Sequence, residues 1–317
     1  DTLSYMVPPG GTTTQRGRGR AVFAGGNRSP DQDSNIIDYI QIQSSGIAVD
    51  FGDLTQEREA LAGSGNETRG WFASGYDGDS PNANYDIIDY ITISTTANAL
   101  DFGNLSAVRR YVACLSNSTR GVIGGGYGGS PAAYQNIIEY ITIATTGNVT
   151  DFGDTTTATT DMAGLSSPTR GILAGGASPS GEVNTIEYIT IATTGNATNF
   201  GDLTIARRAA ASANSSTRGV FGGGNTPSVV DRIDYITIAS TGDATDFGDL
   251  TSARGFMGKG QACTVVRGLL QGGLEPSLVN KIEYIDIASI GNAVDFGDLT
   301  GSGRSGASSF SNSHGGL

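Results

Sequence analysis

Few residues in this chain are both chemically capable and spaced for chemistry. Asp-Phe-Gly recurs with its aromatic at Phe51, Phe102, Phe152, Phe247 and Phe296, and as Asn-Phe-Gly at Phe200. In phosphoryl-transfer enzymes that tripeptide holds a metal beside a catalytic loop and a nucleotide lysine, neither of which accompanies it here. Its regular recurrence reads instead as a turn, with Asp capping and Phe packing. Gly124, Gly126 and Gly129 satisfy Gly-x-Gly-x-x-Gly. A dinucleotide site needs a helix after those glycines, within a βαβ unit, and a strand pattern follows instead. His314 is the one histidine, so neither a histidine-based metal centre nor a Ser-His-Asp triad can be assembled around it. It is expected to cap or to be exposed.

Cys114 and Cys263 are too few for a disulfide framework or a zinc site and read as small buried apolar residues. Asp77-Gly78-Asp79, with Asp31 and Asp33, offers oxygen ligands in acidic loops but lacks the spacing of the helix-loop-helix calcium site. These are read as solvated loop residues, and no cofactor or metal is assigned. Asn-x-Ser/Thr triplets occur at Asn66, Asn104, Asn117, Asn148, Asn196 and Asn214; several fall at repeated turn positions, and they read as turn chemistry rather than glycosylation.

The positioning elements follow from the repeat. The chain has 317 residues, 48 of them glycine, with only 16% charged and a net charge of −12. Such acidity supplies no clustered positive field for nucleic acid, and no apolar run of 18 or more residues marks a membrane span. Arg-Gly-x-x-x-Gly-Gly, or a close variant, starts at Arg20, Arg69, Arg120, Arg170, Arg218 and Arg267. Each copy continues to Ile-(Asp/Glu)-Tyr-Ile, with Tyr39, Tyr90, Tyr140, Tyr188, Tyr235 and Tyr284, and then to the Phe-Gly element. Successive tyrosines are 47 to 51 residues apart.

Each copy holds four strand candidates: a small-residue run such as 209–213, then 219–223, 233–238 and 244–247. In Ile138-Glu139-Tyr140-Ile141-Thr142-Ile143 large apolar groups point to both faces, so the small sheet must be buried on both sides. Blades packed between neighbouring blades meet that demand. The fold expected is all-β, a six-bladed propeller of four-stranded antiparallel blades over residues 20–317. Residues 303–314 match the first-strand segment near Ser116 and are expected to complete the first blade. Residues 1–19 fit no blade and read as an extension or linker.

The order of parts resembles the kelch repeat: Arg207 leading the first strand, Gly223-Gly224 closing the second, Tyr235 in the third and Phe247 in the fourth. Two departures stand out. The fourth-strand aromatic is Phe rather than Trp, and one copy has Thr159-Thr160 in place of the leading arginine. The wording of segments such as 186–204, and the ending Ser-Asn-Ser-His-Gly-Gly-Leu, is similar to structural proteins of marine bacteriophages, especially cyanophages. That resemblance implies a non-enzymatic virion protein of a tail fibre or surface appendage, partnered by other virion proteins. Its binding surface is expected on the second-to-third-strand loops, which vary most between copies. In the first three blades these carry Asp31, Asp33, Tyr76, Asp77, Asp79, Asn82, Asn84, Tyr85, Tyr127, Tyr134 and Gln135, which suit a host-surface glycan, a receptor or a neighbouring protein. A purely architectural decoration or connector, and a glycan hydrolase or lyase, are the alternatives.

Overall fold

The computed structural model describes residues 19–28, 32–78 and 83–317, and its regular structure is entirely β. The expected extension 1–19 lies outside the described residues, apart from Gly19. Five four-stranded antiparallel sheets recur along the chain. The first is built from Arg20–Ala24, Ile36–Gln41 and Val49–Asp53, with Ser308–Ser311 pairing to Arg20–Ala24 in the register Ala21 opposite Ser311. The third, as a typical member, comprises Ala113–Ser116, Arg120–Gly124, Ile137–Thr142 and Thr150–Asp154.

The sixth sheet departs from the expected four strands. Only Arg267–Gln271, Lys281–Asp286 and Val294–Asp298 pair in it. Its innermost segment makes isolated bridges, Gln261 to Ser212, Lys259 to Ser308 and Cys263 to Gly268. The copies differ here in length: Arg254 and Arg267 are 13 residues apart, against 11 for Arg58 and Arg69, Arg109 and Arg120, and Arg207 and Arg218. Gln271 stands where other sheets have Ala24, Ala73, Gly124, Ala174 or Gly222, and its amide fills the space a side chain at Gly258 would need. Gly258 still donates its N–H to the Gln271 carbonyl at 3.1 Å, and Leu269 donates to Ala262 at 2.9 Å, so the two extra residues interrupt the ladder between these points.

Alternation along the third strand buries both faces. Tyr140 and Ile138 face a cluster shared with Leu173, Ile189 and Ile191 of the fourth sheet. Ile141 and Ile143 face Trp71, Ala73 and Ile88 of the second. Six such clusters join each sheet to the next, and the sixth joins Leu269, Ile282 and Phe296 to Ala21, Phe23 and Ile40 of the first sheet.

Polar clasps repeat at the same joints. The arginine opening each second strand lies 4.1 to 4.6 Å over the tyrosine ring of its own sheet. Its guanidinium donates to a carbonyl of the following sheet: Arg20 to Ile93, Arg69 to Ile143, Arg120 to Ile191, Arg170 to Ile238, Arg218 to Ile287 and Arg267 to Ile42, at 2.6 to 3.0 Å. Each tyrosine also meets the outer-strand phenylalanine edge-to-face at 5.9 to 6.2 Å.

The Asp-Phe-Gly element is structural, though not as a capped turn. Its Phe is buried and its Asp is exposed on the outer strand. Its Gly sits at a β-bulge with φ near +150°, where the next sheet's turn docks; a Cβ on Gly52 would lie 2.5 Å from the Ala97 carbonyl oxygen. Beside that contact Asn98, Asn148, Asn196, Asp243 and Asn292 each accept a backbone N–H of the preceding sheet. At the sixth-to-first joint Ile47 stands in this position. Asn66 and Asn117 accept turn N–H groups, in keeping with the turn reading, whereas Asn104 ends an outer strand and Asn214 is buried at the end of an inner one.

His314 is fully buried rather than exposed, and it caps the turn that follows it. Its Nε2 lies 2.9 Å from the Gly65 carbonyl oxygen, and Gly316 donates to its Nδ1 at 3.2 Å. Burial pushes its pKa down to about 4.

Two outcomes follow. Tyr140→Ala removes a ring packed between sheets and should cost about 3 kcal/mol in denaturant unfolding; a loss under about 1 kcal/mol would contradict two-sided burial. Because folding lowers the His314 pKa, its neutral form is favoured in the fold, and stability drains as pH falls from about 6.5 to about 4. The stability of the parent relative to His314→Gln should therefore drop by about 3 kcal/mol across that window, measured by urea unfolding at several pH values.

Candidate functional site

The chain between second and third strands folds into a short hairpin in every copy. Tyr76–Asp77 pairs with Ala83–Asn84, and Tyr127–Gly128 pairs with Ala133–Tyr134. Each hairpin is tied down by the residue that precedes a left-handed backbone position. Glu59 bridges Tyr76, Arg110 pairs with Tyr127, Thr160 with Ala177, Arg208 with Asn225, and Gly255 with Leu274.

The left-handed positions are Ala60, Tyr111, Asp161, Ala209, Phe256 and Gly306, with φ between 51° and 60°. Non-glycine residues seldom adopt such a conformation without compensation. Here main-chain hydrogen bonds compensate: Ala60 N–H donates to Gly306, Tyr111 to Ala60, Asp161 to Tyr111, Ala209 to Asp161 and Gly306 to Phe256, at 2.8 to 2.9 Å. Met257 N–H approaches the Ala209 carbonyl at 3.4 Å.

On this platform the structure gathers several of the expected site residues. The Arg110 guanidinium lies 4.1 Å over the Tyr76 ring and 5.7 Å from the Tyr127 ring. Tyr127 meets Tyr134 edge-to-face at 5.5 Å. The second and third hairpins thus share one row, Tyr76, Arg110, Tyr127 and Tyr134. Asp33 of the first hairpin accepts the Gly78 N–H at 2.6 Å, linking the first hairpin to the second. The Tyr85 hydroxyl donates to Asp77 at 3.1 Å; partial burial and then that carboxylate raise its pKa. Asn84 lies opposite Tyr76 in the hairpin. Gln135 is half-buried, and its amide nitrogen donates to the Gly128 and Ala133 carbonyls at 2.8 and 3.2 Å. Asp31, Asp79 and Asn82 lie outside the described residues.

Glu59, Arg110 and Tyr111 belong to the same surface and were not singled out from sequence. A signal existed: the position after the repeat arginine reads Glu59, Arg110, Thr160, Arg208, Gly255 and Ser305, changing in every copy except for one repeated Arg. Burial, then the nearby Asp33 charge, raises the Glu59 carboxyl to about 7, with Arg110 opposing. Beneath it, Lys259 Nζ pairs with Asp161 in a buried contact and lies 5.0 Å from the Tyr111 ring. Tyr111 is pushed up to about 12, by burial first and Asp161 second.

The thiols offer no nucleophile. Both are free and buried, and burial raises each, Cys263 to about 12. Among the described residues no group of three or more His, Cys, Asp or Glu is placed to hold a metal. What the surface can do is stack on planar or ring-shaped groups and accept hydrogen bonds through carboxylates and hydroxyls. No protein-family model and no curated protein matches the chain.

Because folding raises the Glu59 pKa, its ionisation opposes folding as pH rises from about 4.5 to about 7. Glu59→Gln should gain stability relative to the parent across that window and hold the gain above it, the opposite slope to that of His314. Thermal unfolding at pH 5 and pH 8 checks this; equal differences at both would contradict it.

Proposed function

We propose that the chain is a six-bladed β-propeller that serves, without catalysis, as a recognition module of a phage virion protein, on a tail fibre or surface appendage. What supports the propeller is the cycle of contacts. Six clusters and six arginine clasps run sheet to sheet, and Arg267 reaches back to Ile42. The phage reading rests on the resemblance of the repeat wording. The recognition reading is carried by one observation: the row Tyr76, Arg110, Tyr127 and Tyr134, spanning two adjacent hairpins at one end of the cycle. Aromatic faces flanked by Asp and Tyr hydroxyls suit the apolar ring faces and hydroxyls of a host-surface glycan, or a receptor.

The connector reading has its own observation. Exposed apolar side chains at Ile290, Val294, Ile47, Val49 and Leu100 lie on the turns and outer strands of the sixth, first and second sheets. The third to fifth sheets carry Thr150, Thr198 and Thr245 at the outer-strand position. A neighbouring virion protein would cover that stripe.

Tyr85→Ala and Tyr134→Ala should each weaken binding to host cells or to a responsive glycan on an array by tenfold or more. Binding unchanged in both variants would overturn the recognition surface.

A further inference from the structure

We infer that the fourth sheet carries a binding site for a guanidinium group, built where the repeat's buried arginine is replaced by Thr159. In the other five sheets an arginine is buried against a third-strand carboxylate: Arg58 with Asp89, Arg109 with Glu139, Arg207 with Asp234, Arg254 with Glu283 and Arg304 with Asp38. These guanidinium groups also donate to main-chain carbonyls. Arg207 reaches Phe221 and Arg232, and Arg254 reaches Gly272 and Lys281.

The fourth sheet keeps the acceptors. Glu187 holds the carboxylate position and is only 5% exposed. Its Oε1 accepts from the Thr156 N–H and hydroxyl, and among the described residues no arginine or lysine pairs with it. Leu173, Gly175 and Thr185 occupy the repeat positions of Phe221, Gly272 and Arg232, whose carbonyls receive the guanidinium elsewhere. A recess of about 30 Å³ lies among Thr156, Thr159, Met162, Gly175, Val183 and Glu187. It opens past the exposed Thr156 and Thr157, beside the hairpin that contains Val183.

A buried carboxylate without a cation is costly, and a planar cation donating to it in fork geometry offsets that cost. An ammonium group is more strongly hydrated and does not match the fork, so the site should prefer guanidinium. The occupant is either a small guanidinium compound or an arginine side chain of a partner, since both present the same head group. This inference stands apart from the tyrosine surface, which it does not use.

Thermal unfolding of the full chain tests it. Guanidinium chloride at low millimolar concentration should raise the melting temperature saturably relative to sodium chloride and tetramethylammonium chloride at equal ionic strength. N-acetylarginine amide repeats the titration for the side-chain form. Glu187→Gln should weaken the response at least tenfold. Thr159→Arg, which supplies the group covalently, should raise the melting temperature by itself and abolish the response. A response to the free ion alone supports a small-compound site, and a response to both extends it to a partner's arginine. No saturable rise in the parent, or the same rise in Thr159→Arg, overturns the inference.

Discussion

Every sheet here is too small to be stable on one face alone, so the architecture depends on a clasp that holds both faces covered. Tyrosine is the centre of that clasp. Its ring packs on the apolar cluster of the next sheet, receives a guanidinium on one side and meets a phenylalanine edge on the other. The guanidinium then reaches a carbonyl of the following sheet. The stacked tyrosine and arginine together thus combine apolar burial with a directional hydrogen bond. Burial alone would allow neighbouring sheets to slide, whereas the hydrogen bond fixes their height.

Once the sheets are fixed, the end carrying the hairpins becomes a platform. Buried arginine–carboxylate pairs anchor the segments entering the inner strands of five sheets. The left-handed residues just beyond them are linked main chain to main chain. Because backbone groups make those bonds, the side chains at and beside these positions are free to differ, and they do: Glu59, Arg110 and Tyr111 stand where other copies have Thr160, Arg208 and Ala209. Variation is concentrated where the scaffold makes no demand on side-chain identity, which is where a binding surface can be changed without loss of the fold.

Most of the fold was legible in the sequence because its causes are local and repeated. Period-two alternation around Tyr140, the glycine pairs and the matching C-terminal segment each predicted a feature that the strands display. The irregular inner edge of the sixth sheet was not anticipated, although its signal lies in the spacing: the interval from Arg254 to Arg267 is two residues longer than its counterparts. The burial of His314 was missed because its partner Gly65 is 249 residues away. In the candidate site, Tyr76, Asp77, Tyr85, Tyr127 and Tyr134 were found from loop composition. Arg110 and Glu59 were missed because they enter from the preceding connection, and only the folded geometry sets them beside those tyrosines.

The substitution of Ile47 for asparagine gives this otherwise uniform assembly a seam. At five joints a side-chain oxygen from the incoming turn caps the outer strand before it, and at the sixth-to-first joint that tie is absent. The same sheet is the one assembled from both halves of the chain's circuit, with Ser308–Ser311 laid against Arg20–Ala24. Breathing motions should therefore begin here and spread outward, with amides near Asp298 exchanging with solvent before their counterparts elsewhere. A symmetric repeat has in this way acquired a preferred place to come apart.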